Sequence, residues 1–167
     1  RGKSHDPYRS PVAVTVPEPG TFDENVAAAW LVDTTPPGAT NIGLSHLYEE
    51  VDLVVSGPNF GPNVGRLYSL SSGTLGAAME GATMGYPAIA ISFDIPSKSY
   101  APNDEECGSM VQTAISVIED LWAQWGEAEV YNVNVPLGAI PGVTPVRHTH
   151  IDRDFCGAMF EKSFENT

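Results

Sequence analysis

Apolar residues fall along the chain in blocks short enough for strands, with one stretch long enough for an amphipathic helix. That stretch is residues 104–125. Met110, Val111, Ala114, Ile115, Val117, Ile118, Leu121, Trp122 and Trp125 recur there at helical spacing, while Gln112, Ser116, Glu119 and Gln124 lie mostly opposite. Asn103, with Glu106 three residues on, predicts a capping box at its start. Residues 26–32 form a continuous apolar run that predicts a strand buried on both faces, and residues 52–55 and 88–93 predict two more. Residues 130–135 alternate and predict a fourth strand, 143–150 are a candidate fifth, and 12–16 a candidate edge strand.

Between these blocks stand the signals that start and stop helices. Thr35 before Pro36 predicts a helix reaching about His46. Ser71-Ser72-Gly73-Thr74 opens another, whose body is built of Gly76, Ala77, Ala78, Gly81 and Ala82. Such a helix can lie close against a sheet, a reason to tolerate glycines that each cost roughly 1 kcal/mol in a helix interior. Residues 56–65 hold so many glycines, prolines and asparagines that an irregular loop at a strand end is expected. Strands alternating with helices predict a three-layer, doubly wound, Rossmann-like α/β fold with a mostly parallel sheet. Residues 1–167 are expected to form a single domain, with 1–24 a loop or edge segment.

Charge narrows the function classes. Eight Lys and Arg stand against 21 Asp and Glu, a formal charge of −13. Phosphate backbones and anionic membranes are gripped by clustered cations, so neither nucleic acid nor a membrane surface is an expected partner. No apolar run approaches the roughly 20 residues of a membrane span, and residues 1–10 carry no signal-peptide core, so the expectation is a cytoplasmic protein. Cys107 and Cys156 lack metal-type spacing and are expected as free or buried thiols.

In open α/β sheets, ligands bind beyond the carboxyl ends of the strands, where loops lead into helix starts. The 56–65 loop and the Ser72-Gly73-Thr74 helix start suit such a place. The first peptide N–H groups of a helix lack intrahelical acceptors and favour an anion, Gly73 admits close approach, and Ser72 and Thr74 add neutral donors. Asn59 and Asn63 offer amide oxygens that Mg²⁺ or Ca²⁺ accepts and N–H groups for a phosphate oxygen. A neutral amide cannot hold a divalent ion alone, and Asp33 is the acid expected nearby. The same residues also suit a plain turn followed by a helix cap, and no Gly-Lys-Ser/Thr marks a P-loop. His148 and His150 with Asp152 are a weaker metal candidate, read as surface residues near a strand end. The acids at 104–106 are expected to favour a helix start.

Resemblance adds to this. Asp52-Leu53-Val54-Val55-Ser56-Gly57-Pro58-Asn59-Phe60-Gly61-Pro62-Asn63-Val64-Gly65, then Ser72-Gly73-Thr74-Leu75-Gly76-Ala77-Ala78-Met79-Glu80-Gly81, then Pro87-Ala88-Ile89-Ala90-Ile91-Ser92, closely resemble the survival protein SurE family. Trp30-Leu31-Val32-Asp33-Thr34-Thr35-Pro36 is similar to that family's strand ending in D-G-T-P, with Thr34 in place of the glycine. Val146-Arg147 through Phe160-Glu161 resembles its later V-R-x-T…G-x-x-F-E segment. The Ser-Gly-Pro-Asn form and the doubled Ser71-Ser72 are most similar to fungal members. The resemblance covers about 29–161 and makes 25–161 the expected core, with 162–167 a tail.

The resemblance implies a metal-dependent phosphatase acting on nucleoside monophosphates, with Mg²⁺ or Mn²⁺ as cofactor. By it, Asn59 is a metal ligand, and Asn63, Ser72, Gly73 and Thr74 are phosphate-site groups. The family's N-D-D-G strand end and its serine ligand have no counterpart in this sequence. Gly2-Lys3-Ser4-His5 resembles the residues just after that serine in fungal members. The expectation is therefore a chain whose remaining ligands lie upstream of Arg1, with a sheet edge left uncovered and open to self-association. The alternatives are a non-catalytic phosphate-binding or interaction module of the same fold and, more weakly, a flavodoxin-like nucleotide binder.

Overall fold

The computed structural model describes residues 11–151 apart from 24 and 98, and leaves the side chain of Leu67 aside. Its centre is a parallel sheet in the order β3 (Val54–Phe60), β4 (Ala88–Asp94) and β5 (Val130–Pro136). Before it come β1 (Val14–Thr15) and β2 (Leu31–Val32), a short antiparallel pair, and α1 (Pro36–Ile42), which continues into a π-helical turn at Gly43–Leu47. Two helices, α2 (Gly65–Ser71) and α3 (Gly73–Thr83), connect β3 to β4, and α4 (Asp104–Ala123) connects β4 to β5.

The central strand β4 is buried on both faces, and its alternating side chains build two cores. Ile89, Ile91 and Phe93 pack with Met110 and Ala114 of α4, Val135 and Ala139, while Ala88 and Ala90 pack with Leu75 and Ala78 of α3. The small residues of α3 permit a very close seat. A Cβ at Gly81 would lie 2.9 Å from Val54 Cγ2, and α1 then covers α3 from outside through Pro36 against Gly73 and Pro37 against Gly76.

The α4 start is the expected capping box. Asn103 Oδ1 accepts from the Glu106 N–H at 2.9 Å, and Glu106 Oε2 accepts from the Asn103 N–H at 2.8 Å. Tyr100 donates its hydroxyl to Glu106 Oε1 at 2.7 Å. That bond and the Asn103 N–H lower the pKa of Glu106, and the same bond raises that of Tyr100. At the other end, Trp125 stacks edge-on against Tyr131 at 4.9 Å and donates to the Ala128 carbonyl, while Trp122 is half exposed. Cys107 is a free thiol; Cys156 lies outside the described residues.

Three expectations are corrected. The 26–32 run is not a buried strand: only Leu31 and Val32 pair, with Val14 and Thr15, and Leu31 is exposed. Apolar content alone cannot say whether a run enters a sheet, and this one joins a two-residue ribbon outside the main sheet. Residues 143–150 form no strand; the Thr144 side chain and N–H close a turn on Ile140 instead. The 56–65 segment is not all loop, because β3 continues through Phe60 and Gly65 opens α2.

Among the described residues β3 is paired only on its β4 side. On the α4 face of the sheet, an apolar depression of about 140 Å³ lies between Val55, Ile91 and Phe93 and the Val111, Ala114 and Ile118 side of α4. Among those residues no helix is long and apolar enough to cross a membrane.

Two glycines should respond oppositely to alanine. Gly81→Ala gains about 1 kcal/mol of helix propensity but drives a methyl into the stiff, branched Val54, at about 1–3 kcal/mol, so urea unfolding should show net destabilisation. Gly108 in α4 has nothing within 4 Å of its Cβ position, and Gly108→Ala should stabilise by up to about 1 kcal/mol. The Glu106 contact has its own pH window. A lowered carboxyl pKa contributes stability above the unfolded value that is lost as pH falls through the lowered one. A raised phenol pKa contributes below its unfolded value and is lost as pH rises through the raised one. Protection of the first-turn amides of α4, measured as exchange relative to the intrinsic rate at each pH, should therefore be greatest between the two and fall at both extremes.

Candidate phosphate-binding site

The carboxyl ends of the three parallel strands lie together, and a bulge in β3 decides what faces the site. Ser56 pairs with Ala90 but Asn59 pairs with Ser92, so β3 advances three residues while β4 advances two. The extra residue is accommodated at Gly57 and Pro58. Gly57 has φ +119°, and a Cβ there would run into the Ile91 carbonyl oxygen, so only glycine fits. Pro58 has no N–H to offer a ladder, and a bulge asks for none.

One inserted residue exchanges the two faces of a strand. Val54 faces α3, and without the bulge Asn59 would face α4. With it, Asn59 shares the α3 face with Ser92, and Phe60 turns to the α4 side to meet Phe93 edge-on at 5.8 Å. Ser92 pairs in turn with Asn134. Asn59, Ser92 and Asn134 thus form a polar row across the sheet, on the face that α3 covers.

Asn63 closes onto this row. It is 6% exposed, donates Nδ2 to Ser92 Oγ at 2.7 Å, and donates its backbone N–H to Asn134 Oδ1 at 2.7 Å. Its carbonyl accepts from Asn132 Nδ2 at 2.8 Å. Asn59, half-buried, donates Nδ2 to the Gly61 carbonyl at 2.8 Å, which leaves its Oδ1 as the end of the amide with no hydrogen bond among the described residues. The Gly61 N–H holds the turn to the sheet by donating to the Phe93 carbonyl.

The start of α3 lies at the same end. Gly81 meets Val54 near the amino end of β3, whereas Leu75 in the first turn clusters with Ala90, two residues before Ser92. Ser72 is the N-cap, its Oγ accepting from the Leu75 N–H at 3.1 Å, so its hydroxyl proton stays available to donate. The first intrahelical bond runs from Gly76 N–H to Ser72 O, which leaves the Gly73 and Thr74 N–H groups without helix acceptors. Gly73 is exposed and Thr74 half-buried. The arrangement offers neutral donors and a helix dipole to an anion.

The structure therefore brings Asn59 and Asn63 together through Ser92, and sets Ser72, Gly73 and Thr74 at the same end of the sheet. Asp33 is exposed beside the start of α1, whose Pro36 touches Gly73. His148 and His150 are exposed in irregular chain, and Asp152 lies outside the described residues. A divalent ion takes several oxygens, carboxylates among them. Asn59 supplies one neutral oxygen, and the described residues contain no cluster of three or more His, Cys, Asp or Glu, so they do not make a cation site by themselves. Ser92, Asn132 and Asn134 were not legible as site residues. Their signal is two asparagines spaced i, i+2 in a strand of an otherwise apolar sheet, which puts both on one face.

Comparison with known proteins agrees with this architecture. The family model for survival protein SurE matches residues 2–156, and the chain belongs to that family. It is 41% identical over 109 residues to the 5'-nucleotidase SurE of Clostridium beijerinckii, covering 65% of this chain and 42% of that protein. The 5'-nucleotidase SurE of Maridesulfovibrio salexigens is 36% identical over 135 residues, 78% of this chain and 51% of its own. The crystal structure of SurE from Aquifex aeolicus superposes with a TM-score of 0.57 at 28% identity, over 77% of this chain and 48% of that one. The chain thus spans about half the length of the relatives it matches. The Clostridium beijerinckii and Maridesulfovibrio salexigens relatives are named as 5'-nucleotidases, and the α/β fold of this chain, with its parallel sheet, is the SurE fold.

The cap is open to a direct check. Ser72→Ala should destabilise the protein by about 1 kcal/mol in urea unfolding, and Ser72→Asn should recover most of it, because either Ser or Asn supplies an oxygen to the Leu75 N–H.

Proposed function

We propose that this chain carries the phosphate-gripping part of a metal-dependent phosphomonoesterase that hydrolyses nucleoside monophosphates. The observation that carries the reading is the bulge-set register that turns Asn59 onto the face of Ser92, Asn63 and the α3 start, within a chain of the SurE family. In this reading the phosphoryl oxygens sit against the Gly73 and Thr74 N–H groups, the Ser72 and Thr74 hydroxyls and the Asn63 amide. Donors fixed before the reaction stabilise charge on the equatorial oxygens as the bond to the leaving oxygen breaks. Neutral donors suit a chain of charge −13, since they draw the anion locally where the overall field repels it. Asn59 Oδ1 is the oxygen this chain would offer to Mg²⁺ or Mn²⁺. Carboxylate ligands come, in this reading, from polypeptide other than the described residues.

The test is phosphate release from AMP with Mg²⁺ or Mn²⁺, with and without EDTA, by this chain and by a form extended at its N-terminus with an Asn-Asp-Asp-Gly segment. Calorimetric AMP binding to each is measured alongside. Turnover that EDTA abolishes in the extended form, with AMP binding competed by inorganic phosphate, is expected. Thr74→Ala should weaken that binding about three- to tenfold, the effect of one lost hydrogen bond. Binding without turnover in either form would indicate a non-catalytic module, and absence of both would overturn the reading.

A further inference from the structure

The loop that bears the proposed phosphate groups leaves a strand that is paired on one side only among the described residues, and no β-ladder bond among them holds it past Gly61. Side chains of β4 and β5 hold it instead. Both backbone polar groups of Asn63 are taken by asparagines two residues apart on one face of β5, and its side chain is taken by Ser92, which is fully buried. Backbone polarity fixes how those two amides are turned. The Asn63 N–H can only donate, so Asn134 must present its oxygen; the Asn63 carbonyl can only accept, so Asn132 must present its nitrogen. Asn132 Oδ1 is then buried with no hydrogen-bond partner among the described residues, so it is the donor end of this amide that is used.

We infer that Asn132 and Asn134 are positioning residues of the proposed site, Asn132 acting as an obligatory donor and Asn134 as an obligatory acceptor that together lock Asn63. The inference rests on the proposed function for its consequence in binding, and on geometry alone for the lock. The two residues are the same size and chemistry and are neighbours on one strand face, yet they have opposite requirements. Aspartate keeps an acceptor at 134 and still takes the Asn63 N–H. At 132 it removes the donor and sets a carboxylate against the Asn63 carbonyl. A role confined to filling space does not distinguish the two substitutions.

The experiment uses the full chain and two variants, Asn132→Asp and Asn134→Asp, with two readouts. Each adds one negative charge on the same face, so the difference between them reports the hydrogen bond rather than the charge. Hydrogen exchange of the Asn63 N–H and its neighbours, referenced to α4, should remain slow in N134D and quicken at least about tenfold in N132D. AMP affinity by calorimetry should fall about tenfold further in N132D than in N134D. If N132D fails to fold, Asn132→Ala removes the donor without the charge, and the same ranking is expected. Equal exchange at Asn63 in the two variants, or faster exchange in N134D, would overturn the inference. Absence of AMP binding by the unsubstituted chain would instead overturn the proposed function, with the exchange ranking still deciding the lock.

Discussion

Asn63 is the point at which chain direction, burial and site geometry meet. β3 has a neighbour on one side only among the described residues, and a bulge interrupts even that ladder. Past the Gly61 N–H, which donates to the Phe93 carbonyl, no ladder bond among the described residues fixes the course of the loop that leaves this strand, and a buried N–H or C=O left unpaired costs about 1–3 kcal/mol. The structure resolves this with three side-chain bonds to one residue, all neutral. Their consequence reaches beyond the loop. They fix where the chain enters α2, which ends at Ser71 directly before the extended Ser72 cap of α3, so the register of Asn63 bears on where the Gly73 and Thr74 N–H groups stand.

The second constraint is closeness. At Gly81 there is no room for a methyl beside Val54, and at Gly73 and Gly76 the prolines of α1 stand 2.9 and 3.1 Å from where a Cβ would be. These glycines lower the intrinsic stability of α3, and what they return is position: the helix is pinned between β3 at its far end and α1 at its start. Because Pro36 and Pro37 are rigid and belong to the first turn of α1, two helix starts are fixed relative to each other by rings rather than by long flexible side chains.

Residue order reveals a feature when the forces that determine it are local. The capping box of α4 and the Thr35 and Ser72 caps are set by neighbours within a turn, and each occurs where the pattern predicts it; the predicted apolar face of α4 is buried at Met110 and Ala114 but exposed at Val111, Ile115 and Trp122. The buried strand β4 is equally legible, since an apolar run bounded by Pro87 has few other places to go. The failures share the opposite property. Nothing within residues 26–32 says that most of the run stays outside the sheet, and nothing in Gly57-Pro58 says that a strand resumes after them, because both outcomes depend on distant partners. The candidate site divides in the same way. Asn59, Asn63 and the 72–74 turn stand out as an asparagine-bearing loop and a helix start, while Asn132 and Asn134 lie about 70 residues away and look like ordinary alternating strand positions until register aligns them with Asn63.

Neutral donors are what tie these features to the proposed function. A phosphoryl group presented to a site of lysines or arginines is held tightly at every stage, which lowers ground state and transition state together. Peptide N–H groups, hydroxyls and carboxamides hold it by direction instead, and directional donors discriminate between oxygen positions that shift by fractions of an ångström as the bond breaks. Such discrimination is only as good as the stiffness of the donors. In the proposed site, the buried amide bonds around Asn63 and the proline rings of α1 close to Gly73 supply that stiffness, with Asn63 held by neutral partners. A mobile loop with the same residues would bind phosphate as water does. The rigid one can favour a single geometry of it.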